Sequence, residues 1–167
     1  MSHPVLARLL STDRVRIPIE ARDKRGVIEE MCAFLADRAG VEAAEADAIL
    51  GAVLDREEVL TTGIGGGVAI PHGRSESLDD LLLVAGRTAE PVDFEALDGR
   101  PVRLVMLLVG PESASGRHVQ ALSRIGRLLR SVSLRERLVD ASTPEEFVEA
   151  LRAAEAGRSN AASGTTS

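Results

Sequence analysis

Along residues 14–20, RVRIPIE, apolar and polar positions alternate, and the spacing predicts a strand with Val15, Ile17 and Ile19 on one side. Pro18 has no N–H for a ladder, so this strand is expected at a sheet edge. From Lys24 the period lengthens: Val27, Ile28, Met31, Phe34 and Leu35 recur at helical spacing, and Gly40 supplies a stop. A second helical stripe of Ala46, Ile49, Leu50 and Val53 leads into the charged end DREE at 55–58. LLLVAG from Leu81 and LVMLLVG from Leu104 are too short for helices and too continuous for half-exposed strands. Both are expected to be central strands covered on both faces.

The segment between those runs, with Pro91, Asp98, Gly99 and Pro101, is polar and turn-rich and is expected on the surface. A long helix from near Gly116 turns Leu122, Ile125, Leu129 and Val132 inward, with Arg117, Arg124, Arg127 and Arg130 largely on its other sides. Thr143-Pro144-Glu145-Glu146 is a capping box with proline in the first helical position. It opens a last helix that buries Phe147, Val148 and Leu151. Helices and strands interleave, which predicts an α/β layered domain. One domain is expected over residues 1–154. Residues 155–167, EAGRSNAASGTTS, carry too little apolar surface to offset ordering entropy and are expected to form a disordered tail.

Composition narrows the chemistry. The chain has 167 residues, enough to bury a core, but three phenylalanines are its only aromatic residues. The core must therefore be aliphatic, and base-stacking platforms are excluded as a main trade. A formal charge of −6 disfavours nucleic acid and anionic membrane as partners. The single cysteine, Cys32, permits neither an internal disulfide nor a cysteine zinc cluster, and its place near an apolar stripe suits a buried thiol. No apolar run reaches transmembrane length and no signal-peptide core is present, so a cytoplasmic protein is expected.

TTGIGGGVAIPHGR, residues 61–74, concentrates the chemistry. Neither a Gly-Lys-Ser/Thr loop nor a full dinucleotide fingerprint fits these glycines. What remains is backbone able to approach an anion at Gly63, hydroxyls at Thr61 and Thr62, and an imidazole at His72 between Pro71 and Gly73. On the residues alone two readings of His72 stand: a histidine that fills a turn, or a nucleophile beside a phosphate cradle whose neutral ring is abundant at cellular pH. His118, in the first turn of the long helix, and Arg56, just before the glycines, are candidate phosphate-side groups. Each can equally be structural. His3 is most simply a terminal residue.

REEVLTTGIGGGVAIPHGR from Arg56, PVDFEALDGRPVRLVMLLVGP from Pro91 and HVQALSRIGRLL from His118 resemble the enzyme IIA domains of the bacterial phosphoenolpyruvate-dependent phosphotransferase system, of the fructose, mannitol and nitrogen-regulatory type. The resemblance runs from Ser11 to Leu151. It implies a mixed sheet with helices on both faces, and a phosphoryl group received on His72 from the phosphocarrier HPr and later passed on. It places the second active-site histidine at His118 and the phosphate-side arginine at Arg56. No metal or organic cofactor is implied.

Sugar-type members pass the group to a IIB domain, whereas nitrogen-type members often stand alone and regulate other proteins. Without a fused IIB-like or membrane segment in this sequence, the regulatory branch is the expected one. A binding module that does not turn over phosphate is an alternative of another class. A zinc hydrolase built on His72 and His118 is a third, short of the further protein ligand that a catalytic zinc site normally takes.

Overall fold

The computed structural model describes residues 5–163. The elements run in the order α1 (Val5–Leu9), β1 (Val15–Ile19), α2 (Lys24–Ala39), α3 (Ala43–Val59), β2 (Gly63–Gly65), β3 (Val68–Ala69), β4 (His72–Arg74), β5 (Leu82–Val92), β6 (Val102–Gly110), α4 (Ser115–Leu128), α5 (Val132–Asp140) and α6 (Pro144–Ser163). Short 3₁₀ turns at Thr12–Arg14 and Glu112–Ala114 precede β1 and α4. The strands form one mixed sheet in the order β1-β5-β6-β3-β2, with β4 also paired to β6. β5 and β6 are antiparallel, while β1 runs parallel to β5, and β3 and β4 parallel to β6.

The continuous apolar runs are explained by a sheet packed on both sides. Along β6, Leu104, Met106 and Leu108 join a core with residues of α1, α4, α5 and α6. Val105, Leu107 and Val109 point the other way, into a core with α2 and α3. From Leu104 to Val109, alternate side chains of β6 thus leave water on opposite faces, and none of these positions is free to be polar. Helices cover both faces of the mixed sheet, as expected.

Local chemistry sets the helix ends. The Asp23 carboxylate accepts from the Gly26 N–H at 2.6 Å and caps α2, which Gly40 ends in the left-handed region at φ 69°. The Glu146 N–H donates to the Thr143 hydroxyl at 3.2 Å, and the Glu146 carboxylate accepts from the Ser142 N–H at 2.8 Å. The box at the start of α6 is therefore formed, with its return bond one residue earlier than the usual pattern.

The structure departs from the sequence expectations at several points. β1 is an edge strand, but Val15 and Ile19 lie in opposite cores, because the pairing register shifts between Arg16 and Ile19. At that shift β1 comes so close to Gly86 that a Cβ there would lie 2.5 Å from the Arg16 carbonyl oxygen. The long helix is two helices. α4 stops at Leu128 and the Ser131 hydroxyl, accepting from the Leu134 N–H, starts α5, leaving Val132 57% exposed rather than inward. In the turn-rich segment β5 continues to Val92, and Val92 and Phe94 are fully buried in the α2–α3 core.

The tail expected from Glu155 is helical to Ser163, and Glu155 is buried, its carboxylate accepting from the Leu6 and Ala7 N–H groups at 3.1 and 3.0 Å. Those bonds to the start of α1 give the segment a tertiary anchor that its composition does not advertise. His3 and residues 164–167 lie outside the described residues. Cys32 is buried in the α2 core, and that burial pushes its thiol pKa up to about 12. Among the described residues no helix is long and apolar enough to cross a membrane.

Candidate phosphoryl-transfer site

β4 is the element that sets the site. Its three residues pair with Leu108, Val109 and Gly110 of β6. Leu108 faces the α4 core and Val109 the α3 core. His72, beside Leu108, therefore shares the α4 face with Arg74 two positions on, while Gly73 faces α3. A Cβ on Gly73 would lie 3.2 Å from the Ala52 carbonyl carbon and the Val53 nitrogen. The glycine makes room for the backbone of helix α3.

His72 is half-buried and its Nδ1 lies 2.8 Å from the Ile70 carbonyl oxygen. A carbonyl only accepts, so this nitrogen carries the proton in the neutral ring and Nε2 keeps the lone pair. Burial lowers the His72 pKa, and the Arg56 and Arg74 guanidinium groups lower it further against the opposing pull of the Ile70 hydrogen bond and Glu57. The ring is thereby held neutral, with Nε2 available as a nucleophile.

His118 lies across from it on α4, the ring centroids 5.8 Å apart and the planes at 66°. It begins the buried face of α4 that continues through Ala121, Ile125 and Leu128, at i+3, i+7 and i+10, and is itself 3% exposed. Its Nδ1 is buried without a hydrogen-bond partner. Burial first, then the facing His72 and Arg74, push its pKa down to about 4.

Unfolding returns the His118 ring to an ordinary value near ~6.5, so between about pH 6.5 and about pH 4 the unfolded chain binds the extra proton and stability falls as the pH falls. His72 shifts in the same direction. Urea unfolding from about pH 7 to about pH 4 is expected to show a loss on the order of 2–3 kcal/mol from His118, and His118→Gln to flatten the slope. Identical slopes in the two proteins would contradict the assignment.

Arg56 ends α3, where its Nη1 donates to the Leu60 carbonyl at 2.8 Å, and it is close enough to bear on the charge state of His72. Thr61, Thr62 and Gly63 are placed differently from the expected cradle. The Thr61 hydroxyl donates to the Phe94 carbonyl at 3.0 Å and accepts from the Gly63 N–H at 3.1 Å. Thr62 is buried, with both its N–H and its hydroxyl on the Glu57 carboxylate. Both hydroxyls and the N–H groups of Thr62 and Gly63 are committed to internal partners, so these residues brace the loop after α3.

The sequence reading missed Glu57 and Arg74. Glu57 is 7% exposed and also holds the Lys24 ammonium at 3.0 Å. Its signal was its place on the buried stripe of α3 at i+4 from Val53, since an acid there requires partners. Arg74, which pairs with Glu112 at 3.0 Å, bears on both histidines. Its signal was the two-residue strand spacing from His72. Among the described residues no group of three or more His, Cys, Asp or Glu side chains gathers as a metal centre.

A mixed sheet layered between helices, with the half-buried imidazole of His72 facing the buried one of His118, defines an α/β domain with a paired-histidine site. The family model for the phosphoenolpyruvate-dependent sugar phosphotransferase system, EIIA 2, matches residues 8–154, and the chain belongs to this family. It is 36% identical over 130 residues to a nitrogen regulatory protein of Bradyrhizobium diazoefficiens, covering 78% of this chain and 83% of that one. It is 35% identical over 144 residues to a fructose-specific EIIABC component of Bacillus subtilis, covering 86% of this chain but only 22% of that much longer protein. The crystal structure of the nitrogen regulatory protein IIA-Ntr from Neisseria meningitidis has the same fold, with a TM-score of 0.80, 33% identity and coverage of 88% of this chain and 99% of that one.

Proposed function

We propose that this chain is a phosphoryl carrier that accepts a phosphoryl group from phospho-HPr on Nε2 of His72 and passes it to a protein acceptor. The observation that carries the reading is the His72 ring itself, fixed through Nδ1 on the Ile70 carbonyl, neutral, and facing His118 at 5.8 Å. The Nε2 lone pair attacks phosphorus, the bond from phosphorus to the donor imidazole breaks, and the donor nitrogen keeps that electron pair. Little else is asked of the protein than in-line positioning and compensation of charge on the phosphoryl oxygens. Arg56 and Arg74 supply positive charge, and His118, with a buried nitrogen lacking a partner, is suited to respond to an arriving anion. Glu57, through Thr62, positions the loop behind Arg56.

Apolar side chains at the site support a protein as donor. Val59 is 81% exposed and Leu60 56% exposed, both beside Arg56, and Val119, beside His118, is 59% exposed. Of the two branches, the nitrogen-regulatory type is supported by the likeness to regulatory relatives in both sequence and fold. Its targets would then read the phosphorylation state of His72 in the cytoplasm. The two branches differ in the acceptor. The protein phosphorylated by phosphoenolpyruvate, enzyme I and HPr is expected to keep its phosphoryl group when a fructose-type IIB domain is added. Rapid discharge to IIB would assign it to the sugar branch instead.

A further inference from the structure

At the end of α4 remote from His118, the turn between β2 and β3, the loop at Asp98 to Arg100, the second half of α4 and the start of α5 enclose a cleft of about 750 Å³. Four guanidinium groups line it, from Arg100, Arg127, Arg130 and Arg135, against one carboxylate, Asp98. This gathering stands on a chain whose formal charge is −6. The lone carboxylate is already engaged: it accepts from the Gly66 and Arg100 N–H groups at 2.9 and 3.0 Å, which hold its pKa below the usual range. Among the described residues Arg100, Arg130 and Arg135 form no ion pair with any carboxylate.

The cleft is also rigidly built on one side. Nη1 of Arg135 donates to the Leu129 and Arg130 carbonyls at 2.8 and 3.1 Å, which fixes the plane of its guanidinium. Gly66, at φ +66°, leaves the space that the guanidinium occupies: a Cβ there would lie 3.0 Å from Arg135 Cζ. Next to these charges Ile64 is 42% exposed, an apolar surface within the same cleft.

We propose that this cleft binds a small organic diphosphate, with its phosphoryl groups among Arg100, Arg130 and Arg135 and its organic part against Ile64. The volume lies within the roughly 300–1,000 Å³ of small-molecule sites and is small for a folded partner. A single phosphoryl group carries about −1.5 to −2 charge, less than the three guanidinium groups of Arg100, Arg130 and Arg135 that no carboxylate pairs, whereas a diphosphate ester matches them. Planar guanidinium groups from different elements also suit forked contacts to several phosphoryl oxygens. The arginines lie toward the far end of α4 from His118, the helical rise from His118 to Arg127 being about 14 Å.

The test is calorimetric titration of the full chain with pyrophosphate and with ADP as probes, at low and high ionic strength, alongside the Arg100→Ala and Arg130→Ala variants. Both substitutions are at exposed positions, so folding is expected to survive, and HPr-dependent phosphorylation of both variants is expected to be unchanged. Saturable one-to-one binding of ADP, weakened by salt and on the order of tenfold or more by each substitution, is the expected result. Absence of saturable binding, or affinity in both variants equal to that of the parent chain, would overturn the proposal and leave the arginines as caps for the end of α4. Binding of a glutamate-rich peptide in place of either probe would also overturn it, in favour of a protein-docking surface. Diphosphate binding by a parent chain that phospho-HPr does not phosphorylate would instead count against the carrier reading alone.

Discussion

Phosphoenolpyruvate, enzyme I and HPr together are expected to add one phosphoryl group to this chain and none to its His72→Ala variant, as read by intact mass under alkaline conditions. The expected effect is complete because the alternatives are poor nucleophiles in this setting. His118 is 3% exposed and buried among apolar side chains on α4, out of reach of a docking donor. His72 is half-buried on a sheet-edge strand whose partner is β6, with Nδ1 protonated against Ile70 and Nε2 unprotonated. Its lowered pKa keeps the neutral form dominant at cellular pH, so no separate base is required to prepare it. A phosphorylated His72→Ala protein would place the nucleophile elsewhere and remove the basis of the account.

The next largest effect is expected from His118→Ala: phosphorylation at His72 persists, but transfer in both directions slows on the order of a hundredfold. The argument is electrostatic. In the resting protein the His118 ring is neutral because burial and the nearby His72 and Arg74 push its pKa down to about 4. A phosphoryl dianion on His72 brings a negative charge to the neighbouring ring, which favours a proton and a donated hydrogen bond at His118. Alanine removes that response, and Arg56 and Arg74 remain to neutralise the oxygens, so activity falls without vanishing. Quench-flow transfer from phospho-HPr gives the forward rate and return to HPr the reverse. Unchanged rates in both directions would reduce His118 to a packing residue.

Much of the fold was legible because its signals are local or doubly enforced. β5 and β6 could be read as central strands from continuous apolar runs, and the sheet does bury both of their faces. α2 announced its end through Gly40, whose cap acts within a few residues. What escaped depends on distant contacts. The register shift of β1 is set by its pairing with β5, the order of the chain beyond Glu155 by hydrogen bonds to Leu6 and Ala7, and the burial of Phe94 by the cluster under α2 and α3. The break between α4 and α5 was written in Ser131, but an unbroken apolar period through Leu129 to Val132 concealed it.

The site divides the same way. Strand parity around Pro71-His72-Gly73-Arg74 could have paired Arg74 with His72, and the stripe of α3 could have marked Glu57, since both are spacing arguments. No spacing rule could have shown that the Thr61 hydroxyl is held by the carbonyl of Phe94, far along the chain, or that Thr62 is closed off by Glu57. Hydroxyls beside glycines suggest an anion cradle only while their partners are unknown.

The central claim is that the phosphoryl group resides on Nε2 of His72, and heteronuclear NMR of the imidazole nitrogens in the phosphorylated protein measures it directly. The account predicts one phosphohistidine, at His72, with phosphorus bonded to Nε2 and the proton retained on Nδ1. Phosphorus on Nδ1 of His72, or on either nitrogen of His118, would contradict it.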